Sequence, residues 1–236
     1  EPPLYAAEKL QARYVGNPLL DEYAAAQPVR DLREELAVSA EAPLIGIFPG
    51  SRRSELKYCF ETLLESAALI LQQKPSARFV LPVAPSLDLE LIKRKVDARR
   101  LPITLSQESI YTVASACDAV LCVSGTVTLQ TALCRTPMAV LYKAAQLSYL
   151  VGSWLVKIPH FSLVNIVAGS EVVREFLQQR ANPQALSDEI LQLLDNHEYR
   201  QRVTDGLDAV CEQLGKPGCS ERVARMAAEM VSNERG

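Results

Sequence analysis

The sequence predicts an α/β protein, a parallel sheet with helices on both faces. Three observations carry that expectation. Short apolar runs alternate with helical patterns along most of the 236 residues, the order that builds a parallel sheet covered on each side. Two of those runs end in a glycine turn followed at once by a helix start. Apolar residues make up 48% of the chain, enough for a sizeable core.

Each element follows from its pattern. Candidate strands are Leu44–Phe48, Arg78–Val83, Ile103–Leu105, Ala119–Val123 and Ala139–Tyr142, with a short extended piece at Phe161–Ile166. Helices fit Glu55–Lys74, Leu87–Arg99, Ser109–Ser115, Thr126–Cys134, Gln146–Lys157, Glu171–Gln178, Pro183–Asp195, Glu198–Leu214 and Ser220–Val231. The helix Glu55–Lys74 shows why: Leu56, Phe60, Leu63, Leu64, Ala67, Ala68 and Leu71 recur at helical spacing and mark one buried stripe. Residues 1–40 are polar and Ala-rich, with Pro18 and Pro28, and read as a connecting or hinge region. Residues 41–200 hold the sheet. Residues 201–236 are expected as C-terminal helices that pack on the domain, on a further half or on a partner subunit.

Composition narrows the function. A net charge of -3 gives no support for nucleic-acid binding, which calls for a basic face. The six cysteines are scattered, form no CxxC, and several sit in apolar runs, so buried free thiols in a reducing compartment are expected. With only His160 and His197, no histidine-rich metal site is expected. No run reaches the ~18 apolar residues that span a bilayer. The stretch Leu147–Ile158 fits either a buried or interface helix, or an apolar surface that meets a lipid or a partner subunit. The opening Glu-Pro-Pro-Leu-Tyr, without methionine, reads as a portion of something longer.

The chemistry concentrates in the two glycine turns. After Leu44–Phe48 come Pro49-Gly50-Ser51-Arg52-Arg53-Ser54-Glu55. A turn at the carboxyl end of a parallel strand is where open sheets bind ligands. The helix start offers free N–H groups and partial positive charge, and arginine adds donors suited to phosphate. Glu55 fits a residue that favours the helix start. After Ala119–Val123 come Ser124-Gly125-Thr126, again leading into a helix. Alone, that turn fits an N-cap as well as a phosphate site; two such turns in one sheet point to a diphosphate. Neither is a Walker A loop or a GxGxxG fingerprint. Asn165 stands in an apolar stretch and fits either a loop tie or a ligand contact. Glu175 and Gln178 would share a face of the expected helix, where they fit surface residues or a contact to ribose hydroxyls. No general base, nucleophile elbow or HExxH is present, so acid–base machinery is expected elsewhere.

Together these residues resemble the bacterial lipid-A-disaccharide synthases, inverting glycosyltransferases of the GT-B type with two Rossmann-like halves. The likeness covers Tyr14-Val-Gly-Asn-Pro-Leu19, Phe48-Pro-Gly-Ser-Arg-Arg-Ser-Glu55, Asp118 to Met138, Leu155-Val-Lys-Ile-Pro159, Ser162 to Gly169, and Val172-Val-Arg-Glu-Phe-Leu-Gln178. Order and spacing match the carboxyl-terminal, nucleotide-sugar half, so residues 41–200 would be a Rossmann-like UDP-sugar-binding domain. The resemblance implies transfer from UDP-2,3-diacylglucosamine to 2,3-diacylglucosamine 1-phosphate (lipid X), forming a β-1,6 link and releasing UDP, without metal or cofactor. By the same route Gly50, Ser51 and Arg52 would meet the donor diphosphate, Ser124, Gly125 and Thr126 the diphosphate or sugar, and Asn165, Glu175 and Gln178 the nucleotide. The catalytic base would lie in an amino-terminal half that this chain lacks. The resemblance also implies a cytoplasmic location at the inner membrane and allows a homodimer. Asn17 stands where that family commonly has histidine and Gln130 where it often has glutamate; Val164 and Arg174 replace frequent prolines. Two rival readings are another UDP-GlcNAc-using GT-B enzyme, an epimerase or transferase, and a nucleotide-sugar-binding module inactive by itself.

Overall fold

The computed structural model describes residues 13–27, 31–143 and 159–233. The strands are β1 Leu44–Phe48, β2 Arg78–Pro82, β3 Ile103–Ser106, β4 Ala119–Val123, β5 Met138–Tyr142 and β6 Glu175–Leu177. All pair in parallel, in the order β3-β2-β1-β4-β5-β6. The helices are α1 Pro18–Ala25, α2 Leu32–Glu35, α3 Arg53–Gln73, α4 Leu89–Arg99, α5 Ile110–Ala116, α6 Thr126–Leu133, α7 Leu163–Ala168, α8 Pro183–Asp195, α9 His197–Leu214 and α10 Cys219–Asn233.

The central strands explain the continuous apolar runs. Every residue of β1 and β4 is buried, because helices cover both faces and leave no side for polar alternation. Of the expected α3 stripe, Phe60, Leu63, Leu64 and Ala67 are at most 1% exposed and Leu56, Ala68 and Leu71 half-buried, with Ile70 buried beside them, and the helix packs against α8 and over β4. Each such side chain contributes about 1.5–3 kcal/mol by burial, and Leu63→Ala would cost about 2–5 kcal/mol with its cavity. At the amino end of the sheet, Asp118 accepts from Leu44 N at 2.8 Å and pairs with Arg33 at 2.8 Å, tying α2 beneath the two central strands.

Residues 13–27 dock against the chain's last helix. Asn17 caps α1 by accepting from Leu19 N at 3.0 Å, a residue type suited to a helix start. Asp21 accepts from the amides of Gly218, Cys219 and Ser220, and Arg222 Nε donates to Val15 O at 2.8 Å. These amide bonds hold the Asp21 carboxyl down at about 2.

Two expected elements differ. Phe161–Ile166 is not extended: Ser162 accepts from Asn165 N at 3.2 Å and caps α7, which Gly169 ends in a left-handed conformation at φ 68°. Glu171–Gln178 is not a helix: residues 175–177 form β6, and Gln178–Arg180 is a 3-10 turn. The open edge of β5 decides this, because Val140, Leu141 and Tyr142 pair with Glu175, Phe176 and Leu177. Strand preference of this kind is set by the neighbour, not by local pattern. Glu175 and Gln178 therefore share no helix face. The expected helix Gln146–Lys157 and the apolar surface Leu147–Ile158 lie outside the described residues.

Candidate functional site

The chain runs from β1 outward to β3, then returns to β4 beside β1 and continues outward the other way. The carboxyl ends of β1 and β4 thus flank the point where strand order reverses, and there the loops part to leave a crevice. A cleft of about 410 Å³ occupies it, within the ~300–1,000 Å³ typical of ligand sites. Both glycine turns line it, Gly50-Ser51-Arg52 on one wall and Ser124-Gly125-Thr126 on the other. The ends of β2 and β3 add Pro82–Pro85 and Gln107–Ile110. Among the described lining residues the ionisable side chains are Arg52, Glu55 and Glu108.

The first wall is closed around a carboxylate. Glu55 Oε2 accepts from Ser51 N at 2.9 Å and Arg52 N at 3.0 Å, while Oε1 pairs with Arg52 Nη1 at 2.9 Å. The amides of Ser51 and Arg52, expected to be free for an anion, are therefore already occupied. The reason is local: a glutamate three residues past the N-cap folds back onto the helix start. Gly50 sits at φ 89°, and a Cβ there would strike the Glu55 carboxyl and Val123. Ser86 Oγ donates to Ser51 O at 2.9 Å and pins the turn from its other side.

The second wall is open. Gly125 is extended, and a Cβ on it would meet nothing within 4 Å. Its carbonyl accepts from Thr128 N at 3.1 Å and Thr128 Oγ1 at 2.8 Å, which fixes the start of α6. The first amides of a helix have no carbonyl partner within it, and here they border the cleft. Ser124 Oγ donates to Phe161 O at 2.6 Å, so this hydroxyl ties the wall to the loop before α7. Gln130 also lines the cleft, and beside it Tyr111 donates to Leu19 O at 3.4 Å and Glu22 Oε2 at 3.2 Å. Burial pushes the Tyr111 hydroxyl up to about 12.

Asn165 and Glu175 are absent from this lining and form a cluster behind it. Asn165 is fully buried. Its Oδ1 accepts from Val172 N at 2.8 Å and Val173 N at 3.0 Å; its Nδ2 donates to Val173 O at 2.7 Å and Glu175 Oε1 at 2.8 Å. That satisfies every donor and acceptor of the amide. Glu175 Oε1 also accepts from Ser162 N and Ser162 Oγ, and Oε2 accepts from Phe161 N at 2.8 Å. The cluster holds the 161–162 loop against which Ser124 leans. Gln178 follows β6 with a left-handed φ of 50°. Six of the nine sequence-derived site residues thus meet in one cleft, and three do not. Sequence reasoning missed the 107–110 wall and the partners of Glu55, although the Glu55 spacing carried the latter.

A doubly wound sheet whose central glycine turns share a switch-point cleft is Rossmann-like, and it resembles the C-terminal half of GT-B proteins. Solved structures agree on the fold: a UDP-N-acetylglucosamine 2-epimerase from Listeria monocytogenes superposes with TM-score 0.59 at 18% identity over 84% of this chain and 49% of its own. The C-terminal domain of a group 1 glycosyl transferase from Francisella tularensis gives TM-score 0.53 at 16% identity, over 81% of this chain and 95% of that one. The model of the lipid-A-disaccharide synthetase family matches residues 1–230, and the chain belongs to that family. The lipid-A-disaccharide synthase of Syntrophotalea carbinolica is 46% identical over 98% of this chain and 59% of its own length. That of Geobacter sulfurreducens is 39% identical over 99% and 61%. The chain therefore spans about 60% of the length of these curated relatives.

Proposed function

We propose that this chain is the donor-binding half of a lipid-A-disaccharide synthase. The reaction joins UDP-2,3-diacylglucosamine to lipid X. The bond from the donor's anomeric carbon to the UDP oxygen breaks, and a β-1,6 bond to the acceptor hydroxyl forms. UDP leaves with the bonding electrons, and the hydroxyl proton passes to a base outside this chain.

The observation that supports this reading most is the meeting of the β1 and β4 turns in one cleft. Negative charge develops on UDP as it leaves, and fixed positive groups there lower the barrier. Arg52 supplies charge from one wall, and the start of α6 supplies amides from the other. Ser51 and Thr126 add hydroxyls, Ser124 braces the wall through Phe161 O, Gly50 admits the Glu55 carboxylate, and Gly125 keeps the approach clear. We assign Asn165 to holding the loop, since its amide is fully used. Glu175 would hold a ribose hydroxyl through Oε2, which among the described residues accepts from Phe161 N, and Gln178 would border the nucleotide at the end of β6. The acceptor, an amino-terminal half, a homodimer and contact with the cytoplasmic face of the inner membrane belong to the same proposal. Among the described residues no helix is long and apolar enough to cross a membrane.

Fold likeness alone would equally suit an epimerase; the family match over residues 1–230 favours the synthase. One solved neighbour, described as an S. aureus MnaA-UDP co-structure, has TM-score 0.58 at 13% identity. The test is calorimetry of the chain with UDP, together with turnover by the complete enzyme using donors with and without acyl chains. Binding of UDP by the chain and turnover of the acylated donor only are expected. Turnover of unacylated UDP-GlcNAc alone would favour the epimerase or another transferase.

A further inference from the structure

We propose that Glu55 is a positioning residue that aims Arg52 into the cleft and leaves amide contacts with the diphosphate to the opposite wall. This rests on the donor-binding reading above. An exposed ion pair three residues apart on a helix ordinarily fixes nothing. Here one partner is immobile. The Glu55 side chain is only 19% exposed, against 75% for Arg52, and its Oε2 is bound by the Ser51 and Arg52 amides. The remaining contact, Oε1 to Arg52 Nη1 at 2.9 Å, ties a long flexible side chain to that fixed point. A guanidinium carries five N–H donors, so most of the fork stays available to a phosphate oxygen. The turn is built around the carboxylate: Gly50 has no side chain where Glu55 lies, and Ser86 holds the Ser51 carbonyl.

The sign of the effect discriminates. Glu55 carries negative charge beside a proposed anion site, so removing that charge should by itself strengthen phosphate binding. Weakening that vanishes in the Arg52→Ala background then reports loss of Arg52 placement, while weakening that persists there reports a loosened turn. Glu55→Gln keeps an oxygen for the two amides but presents an NH2 group to Arg52.

The experiment titrates UDP and uridine into the unaltered chain, Glu55→Gln, Arg52→Ala and the double variant, with melting temperatures as a folding control. Glu55→Gln is expected to weaken UDP binding about fivefold to tenfold by coupling with Arg52, with uridine binding and melting temperature unchanged. Adding it to Arg52→Ala should cause no further loss. Unchanged or tighter UDP binding by Glu55→Gln, or additive losses in the double variant, would overturn the proposal. An unaltered chain that fails to bind UDP would instead overturn the donor-binding reading beneath it.

Discussion

The two walls of the cleft are written in the same grammar, buried strand, glycine turn, helix start, yet they use their backbone amides in opposite ways. After β1, Glu55 takes the Ser51 and Arg52 amides and pairs with the guanidinium of Arg52, a cleft-lining residue. After β4, Gly125 opens α6 with nothing near its Cβ position. One glycine is demanded by the fold and the other by free space. A strand–glycine–helix pattern therefore marks where a ligand can bind without saying which atoms will bind it. The acidic residue three positions into the helix decides that.

The comparison can be broken at several points. The largest effect is expected from Asn165→Ala, which strips the buried Val173 of partners for both its amide and its carbonyl and costs about 2–4 kcal/mol. Because Asn165 supports the loop that Ser124 touches, UDP affinity should fall with stability; chemical denaturation and calorimetry read both. Arg52→Ala removes a charge-assisted contact worth about 1.5–3 kcal/mol, and so should weaken UDP binding about 10- to 100-fold. Its stability should stay near that of the unaltered chain, since the side chain is 75% exposed.

The glycines give the sharpest contrast. Gly50→Ala should destabilise the chain by about 1–3 kcal/mol, because the left-handed backbone and the Glu55 contact both oppose it. Gly125→Val should leave stability within about 0.5 kcal/mol while a side chain projecting into the cleft reduces UDP affinity about tenfold. Thermal melts alongside UDP titrations check the pair. A loss of stability at Gly125 matching that at Gly50 would erase the difference between the walls.

The smallest effect lies far from the cleft, at Asp21. Its carboxyl is held at about 2, below the ordinary 3.8, by the amides that start α10. A depressed carboxylate stabilises above its unfolded value, and that contribution is lost as pH falls through the folded one. Docking of residues 13–27 on α10 should therefore weaken between about pH 4 and pH 2. Hydrogen exchange in α1 would show the step, and Asp21→Asn should remove it.

Much of this was legible in the sequence, for physical reasons that also explain the failures. β1 and β4 are buried on both faces, so their apolar runs are continuous and unmistakable. α3 and α8 carry stripes long enough to fix their period. The failures cluster where partners lie far off in sequence. Residues 175–177 became a strand because β5 offered an unpaired edge, a fact no local pattern holds. Asn165 and Glu175 were visible as polar residues in apolar surroundings, but their bonds run to Phe161, Ser162, Val172 and Val173. Six of the expected residues share one cleft because a glycine turn at a strand end is itself the signal. The occupation of two expected donors is written in the Glu55 spacing, since an acidic residue at the third helical position folds back onto the helix start.

The central claim is that both turns together bind a diphosphate. Titration of UDP, and separately of uridine, into the chain and its Arg52→Ala and Gly125→Val variants tests it directly. UDP should bind the unaltered chain more than tenfold tighter than uridine, a difference above about 1.4 kcal/mol, and each variant should lose most of that preference. Equal binding of UDP and uridine, or variants that keep the full preference, would contradict it.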